Sequence, residues 1–207
     1  MEVGNGMLFA SNVVDGMVHT LGGRSFEWEC KWVRWMSRSS SFRHGSAVAT
    51  SSGRGNDLCH MYDQIIHTFP PFYNHQQQDD NREIGTDDVL LRSCYQQSLQ
   101  LAIAGWDRSG RHDNPSSVPI LRVACPLLGA GCRGFPTDVA IHVAATEVQK
   151  WLRQTEDDDD DNDDDYHQTD GDNDDSNHKS SADEEIVCAF GIPDPGIAET
   201  LVKAVSM

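Results

Sequence analysis

Three glycines, Gly129, Gly131 and Gly134, separate an apolar run from an amphipathic helix pattern, a junction at which a polypeptide grips phosphate. The run from Ile120 to Leu128 has the length and β-branched content of a strand buried on both faces. The helix begins at Pro136, whose missing N–H costs nothing in a first turn. With no Cβ at three positions the intervening backbone approaches a ligand closely, and amides near a helix N-terminus favour an anion. The spacing also satisfies GxGxxG. A Rossmann unit, however, needs a second strand ending in an acidic residue about twenty positions later, and here the helix runs into an acidic tract. A plain strand-to-helix turn would carry the same glycines.

Other residue sets with chemical potential are weaker. Cys59, His60 and His67 lack the spacing of metal ligands. The acidic tract lacks the EF-hand order of ligands around a central glycine. No metal and no cofactor is expected. The six cysteines contain no CxxC and fall mostly in apolar periodic segments, so they read as buried, reduced thiols of an intracellular protein, cytoplasmic or nuclear. No signal-peptide pattern is present and no apolar run reaches the eighteen or so residues of a membrane span, so no membrane partner is expected.

The net charge of −17 is concentrated: Glu156 to Glu185 holds sixteen Asp and Glu against one Lys, leaving the rest near neutral. That tract is expected to be a disordered insertion with too little apolar surface to offset ordering entropy, and it would repel phosphate backbones, which argues against direct nucleic-acid binding. At 207 residues the chain suits one domain with appendages. We divide it into a main part, residues 1–155, the acidic insertion, 156–185, and a closing strand and helix, 186–207.

The elements that must position the glycine loop follow from periodicity. Val13 to Leu21 is apolar and leads through Gly22-Gly23 to a helix from an N-cap at Ser25 to Met36, with Phe26, Cys30 and Val33 on one face. Trp28, Trp32 and Trp35 form a second stripe, read first as packing against a neighbouring element and second as a partner-binding face. Strands are expected at Ala47–Thr50, Gln64–Phe69, Ile120–Leu128 and Ile186–Phe190. Helices are expected from Asp87 to Ala104, with Gly105 as its stop, after Pro136, and after Asp194-Pro195. The alternation predicts an α/β fold, a three-layer α/β/α sandwich with a mixed central sheet.

Four segments, in order, resemble a macro domain, the module that binds ADP-ribose. The family's NxxLxGGGGVDGAIHxAAG is similar to NGMLFASNVVDGMVHTLGG, Asn5 to Gly23, with matches at Asn5, Leu8, Val14, Asp15, Gly16, His19 and Gly23. GSAVAT with QIIHTFPPFY, LLRSCYQQSLQLA, and ACPLLGAGCRGFP resemble the family's GEAVIT with VIHTVGPVY, LLRSCYRNSLELA, and PAISTGVYGFP. The likeness covers nearly the whole chain outside the acidic insertion. The family's opening strands, with the aspartate that usually holds adenine, have no counterpart; Ala10 to Val13 replace its four glycines, and Arg133 stands where an aromatic is frequent.

The resemblance implies that ADP-ribose, free or on a modified protein, is the ligand, with its pyrophosphate between two loops. The implied ligand-binding residues are Val14, Gly16, Gly129, Ala130, Gly131, Cys132, Arg133, Gly134 and Phe135. Asn5 would hold the distal ribose, Asp15 would orient or deprotonate a water, and His19, one helical turn on, would face the same cleft. The implied activity is hydrolysis of ADP-ribose from proteins or deacetylation of O-acetyl-ADP-ribose. A non-catalytic ADP-ribose reader, or an interaction protein offering the acidic tract to basic partners, remains open. So does a turn or capping role for Asp15 and a structural, hydrogen-bonded one for His19.

Overall fold

The computed structural model describes residues 14–36, 43–74, 86–107, 120–157, 185–192 and 194–206. Helix α1 spans Val14–Met36, β1 Ala47–Ser51, β2 Gln64–Thr68, α2 Thr86–Asp107, β3 Ile120–Cys125, α3 Thr137–Asp157, β4 Glu185–Phe190 and α4 Pro195–Val205, with a short 3-10 turn at Leu58–His60. Among the described residues the strands pair two by two. β1 and β2 are antiparallel, with Val48 opposite His67 and Thr50 opposite Ile65. β3 and β4 are parallel, with Val123 beside Cys188 and Cys125 beside Phe190. The mixture of directions is the one expected, set here as two ladders.

Helices cover both faces of β1–β2. On one side Phe26 and Cys30 of α1 join Leu58 in a buried cluster that includes Ile65. There His67 stacks on Phe26 with ring centroids 5.7 Å apart and meets the Thr50 hydroxyl through Nε2 at 2.9 Å. Burial pushes the His67 imidazole down to about 4, so it is neutral in the fold. On the other side α2 takes over, and Gln97 Oε1 accepts the Ala47 N–H at 3.1 Å.

The parallel ladder rests on α2 and α3. Leu99, Val148 and Trp151 are buried against Leu121, Val123, Cys188 and Phe190, the inward positions of both strands. The expectation of a strand buried on both faces is corrected here: Arg122 and Ala124 alternate outward and are exposed, and β3 stops at Cys125 because Pro126 lacks the ladder donor. A second cluster, centred on Leu91, Tyr95, Phe135, Ile141, Val143 and Leu201, joins α2, α3 and α4. Glu147 ties α2 to α3 from within. It accepts from Arg92 at 2.8 Å and Gln96 at 2.8 Å, and Lys150 approaches at 3.3 Å.

Three further expectations change. The helix expected from Ser25 is the second half of α1; its first half begins at Val14, and the break lies at Gly23, where φ is 53° and ψ −151°. Ser25 does not cap it, and its hydroxyl oxygen accepts from Asn56 Nδ2 at 2.7 Å instead. α2 runs through Gly105 to Asp107, and the glycine there makes room for Gln64, whose side chain a Cβ would strike. Among the described residues the tryptophan stripe is not packed against another element: Trp28, Trp32 and Trp35 are 71%, 58% and 56% exposed. The start of α4 is as expected, with Asp194 accepting from the amides of Gly196 and Ile197 before Pro195 fills the first turn. No helix among the described residues is long and apolar enough to cross a membrane.

Candidate functional site

The glycine loop is a tight, internally bonded turn. Gly129 and Gly134 take φ of 86° and 76°, a region that L side chains rarely enter. These two bends let the Phe135 N–H donate to the Gly129 carbonyl at 3.1 Å and the Gly134 N–H to the Gly131 carbonyl at 3.0 Å. Phe135 is thereby folded back into the α2–α3 core, 4% exposed, and a Cβ on Gly129 would stand 3.0 Å from its ring. Pro136 then accepts the Ala140 N–H at 3.0 Å, so α3 starts directly behind the turn.

The consequence is a row of outward amides. Among the described residues the N–H groups of Ala130, Gly131, Cys132 and Arg133 have no acceptor, and a Cβ on Gly131 would meet nothing within 4 Å. Four uncommitted donors just ahead of a helix N-terminus, with Gly131 and Cys132 exposed, carry a partial positive charge suited to an anion. The expectation of buried thiols is corrected: only Cys30 and Cys94 are fully buried, Cys59, Cys125 and Cys188 are half-buried and Cys132 is exposed, while burial still pushes Cys125 and Cys188 up to about 12 and about 11 and keeps them protonated.

Two neighbours hold the loop that periodicity did not single out. The Tyr95 hydroxyl of α2 accepts the Leu128 N–H at 3.0 Å, fixing the approach to Gly129. Burial, with the neighbouring Cys125 thiol, raises that phenol well above its ordinary value, so it stays neutral. From the end of β2, Tyr73 donates its N–H to the Arg133 carbonyl at 2.9 Å and packs on Phe135 with ring centroids 5.1 Å apart. The Arg133 guanidinium lies 4.4 Å from the centre of the Phe72 ring and has no carboxylate partner among the described residues. Phe72 itself is 61% exposed. An aromatic directly after the strand-ending Pro70-Pro71 was the available signal.

The other candidate residues belong to α1. Asn5 lies outside the described residues. Val14 and Asp15 form the first turn of α1, and Gly16 is buried behind them, its carbonyl accepting from the Thr20 hydroxyl at 2.8 Å. His19 is half-buried, edge-on to Phe26 at 5.1 Å and 61°, directed at the stack over β2. The structure thus joins Gly129 to Phe135 with the 72–73 segment and Tyr95, while the α1 residues stand on the β1–β2 side. No cluster of three or more metal-binding side chains occurs among the described residues; the groups available to a ligand here are main-chain amides and one guanidinium.

Comparison with known proteins bears on this arrangement. The family model described as Macro domain matches residues 4–144. A macro domain-containing protein of Listeria monocytogenes is 32% identical over 158 residues, spanning 76% of this chain and 74% of its own length. Among solved structures, the Oceanobacillus iheyensis macrodomain with ADP aligns with a TM-score of 0.59 at 19% identity, covering 94% of this chain and 76% of that one. The Trypanosoma brucei macrodomain in complex with ADP aligns with a TM-score of 0.50 at 18% identity, over 93% of this chain and 56% of that one.

Proposed function

The chain belongs to the macro-domain family, and from that membership we propose that it binds ADP-ribose and hydrolyses it from modified proteins, or deacetylates O-acetyl-ADP-ribose. The observation that carries the reading is the row of unbonded amides from Ala130 to Arg133. A diphosphate set against them gains charge-assisted hydrogen bonds of roughly 1.5–3 kcal/mol each, and no desolvation of a buried charge is required on the protein side. Gly129 and Gly134 preform the curvature, so little ordering entropy is lost on binding. Arg133, its guanidinium carbon 4.4 Å from the centre of the Phe72 ring, adds a full positive charge beside the cradle.

In this reading Val14, Asp15 and Gly16 close the other side of the ligand, and Asn5 holds the distal ribose hydroxyls. Asp15 orients a water and takes its proton as the oxygen attacks: at the anomeric carbon the C–O bond to the acceptor carboxylate breaks and the carboxylate leaves, whereas at the acyl carbon of the ester the ribose oxygen leaves and recovers the proton from Asp15. A carboxylate does this at neutral pH when the substrate phosphate shares in positioning the water. His19, one helical turn on from Asp15, would face the same cleft with its ring edge-on to Phe26.

Calorimetric titration with ADP-ribose tests the binding step: a saturable 1:1 isotherm is expected, and its absence removes the function. Release of ADP-ribose from a modified acceptor protein tests the chemistry. Asp15→Ala should abolish release while affinity stays within a few-fold, since the carboxylate acts on water and does not hold the ligand. Undiminished release takes Asp15 out of the mechanism, and binding without release by the unaltered protein makes the chain a reader.

A further inference from the structure

The second half of α1 turns a tryptophan face to solvent. At about 100° per residue, Trp28, Trp32, Trp35, Arg24 and Lys31 share an arc of roughly 100°, opposite the buried Phe26 and Cys30. Lys31 lies 5.7 Å over the Trp28 ring, and Trp32 and Trp35 meet at 5.3 Å with their planes 36° apart. Indoles so close and so exposed leave roughly 400 Å2 of aromatic surface in water on one helix, the size at which a patch on a monomer is functional.

We propose that this face is a twofold interface at which a second copy of the chain docks, α1 against α1 in antiparallel orientation. Two observations select a copy of itself. The first is charge symmetry: Glu27 and Arg34 border the same edge of the face seven residues apart, with Lys31 between them. An antiparallel pairing centred near Lys31 brings each Glu27 opposite Arg34 of the other copy, while the Glu27 carboxylate 3.7 Å from its own Lys31 offsets the approach of the two Lys31 side chains at the axis; the resulting self-complementary pattern is what an isologous interface requires. The second is area. Two such faces bury roughly 800 Å2 of indole alone, and the flanking Arg24, Glu27 and Lys31 carry the total toward the roughly 1,200 Å2 at which specific interfaces begin.

The charge of the whole chain argues against a polyanion. A molecule of net charge −17 is repelled by nucleic acid and by an anionic lipid surface, and Arg24 and Lys31 are too few to reverse this. The same charge makes two copies repel each other at long range. Aromatic burial must overcome that repulsion, so added salt, which screens it, strengthens the pairing.

Sedimentation equilibrium of the full chain from about 1 to 200 μM, in low and high salt, provides the test. A reversible monomer–dimer equilibrium is expected, tighter at high salt, with the dimer dissociation constant of Trp28→Glu/Trp32→Glu raised at least about thirtyfold. The variant should melt as the parent does, because both side chains lie in solvent. Should it fail to fold, acrylamide quenching of the unaltered protein decides: tryptophan emission must become protected as concentration rises. A monomer throughout, quenching independent of concentration, unchanged dimerisation in the folded variant, or association that weakens with salt would each overturn the interface.

Discussion

Gly129 and Gly131, two positions apart, ask opposite things of a side chain. Gly129 has φ of 86° with the Phe135 ring 3.0 Å and Leu91 3.3 Å from a would-be Cβ, so it is glycine for the sake of the fold. Gly129→Ala should cost roughly 1–2 kcal/mol from the left-handed conformation alone, more with the contact, and lower the melting temperature. Gly131 has open space before it and no positive φ, so Gly131→Val leaves the melt unchanged. Its isopropyl group would instead stand where the diphosphate is to sit, and we expect ADP-ribose affinity to fall at least about tenfold by calorimetry. The contrast separates a structural from a ligand-facing glycine within one turn. Full affinity in a folded Gly131→Val would remove the loop as the cradle.

Between elements the decisive contact is the one α2 makes with α3 through Glu147, 2% exposed. Burial alone would raise its carboxyl, but hydrogen bonds from Gln96, Arg92 and Lys150 outweigh this and hold it below its ordinary 4.5. A folded value below the unfolded one means the contribution is complete above about 4.5 and drains away as pH falls toward the lowered value. Glu147→Gln should therefore cost on the order of 2 kcal/mol in urea melts at pH 7, and the gap between variant and parent should narrow by pH 3.5. An undiminished gap would mean that shape, not charge, is what the glutamate provides. Its partners on α2 lie some fifty residues away in the chain, which is why apolar periodicity located the helices but not the bond between them. The same limit applies elsewhere. Gly134 and the Asp194 cap act on adjacent backbone and were legible as turn and helix start, whereas the strand was expected to run on to Leu128, past Pro126 where the ladder ends. Tyr95 beneath Leu128, Tyr73 against Arg133, and Gln64 against Gly105 are meetings of distant segments, invisible to spacing and found only in the fold. The tryptophan stripe shows the remaining ambiguity: a 3.6-residue period tells which side chains share a face and nothing about what covers it.

Over the whole molecule the sixteen carboxylates from Glu156 to Glu185 dominate the field. The tract leaves α3 at the end away from the glycine loop, since α3 begins at Thr137 behind that turn and runs to Asp157. A diphosphate approaching a chain of net charge −17 is opposed by that field wherever the Debye length exceeds the separation, about 30 Å at 0.01 M salt but only about 3 Å at 1 M. Replacing the Asp and Glu residues within 158–184 by Asn and Gln should thus tighten ADP-ribose binding a few-fold at the lower salt and leave it unchanged at the higher. The repulsion between paired copies should fall by the same route, so the neutralised chain dimerises at lower concentration in low salt. If both affinities ignored the substitution at every ionic strength, the acidic tract would be electrically decoupled from the site and from the tryptophan face. Its charge would then serve only partners that bind the tract directly, and those would have to be basic, released as salt rises.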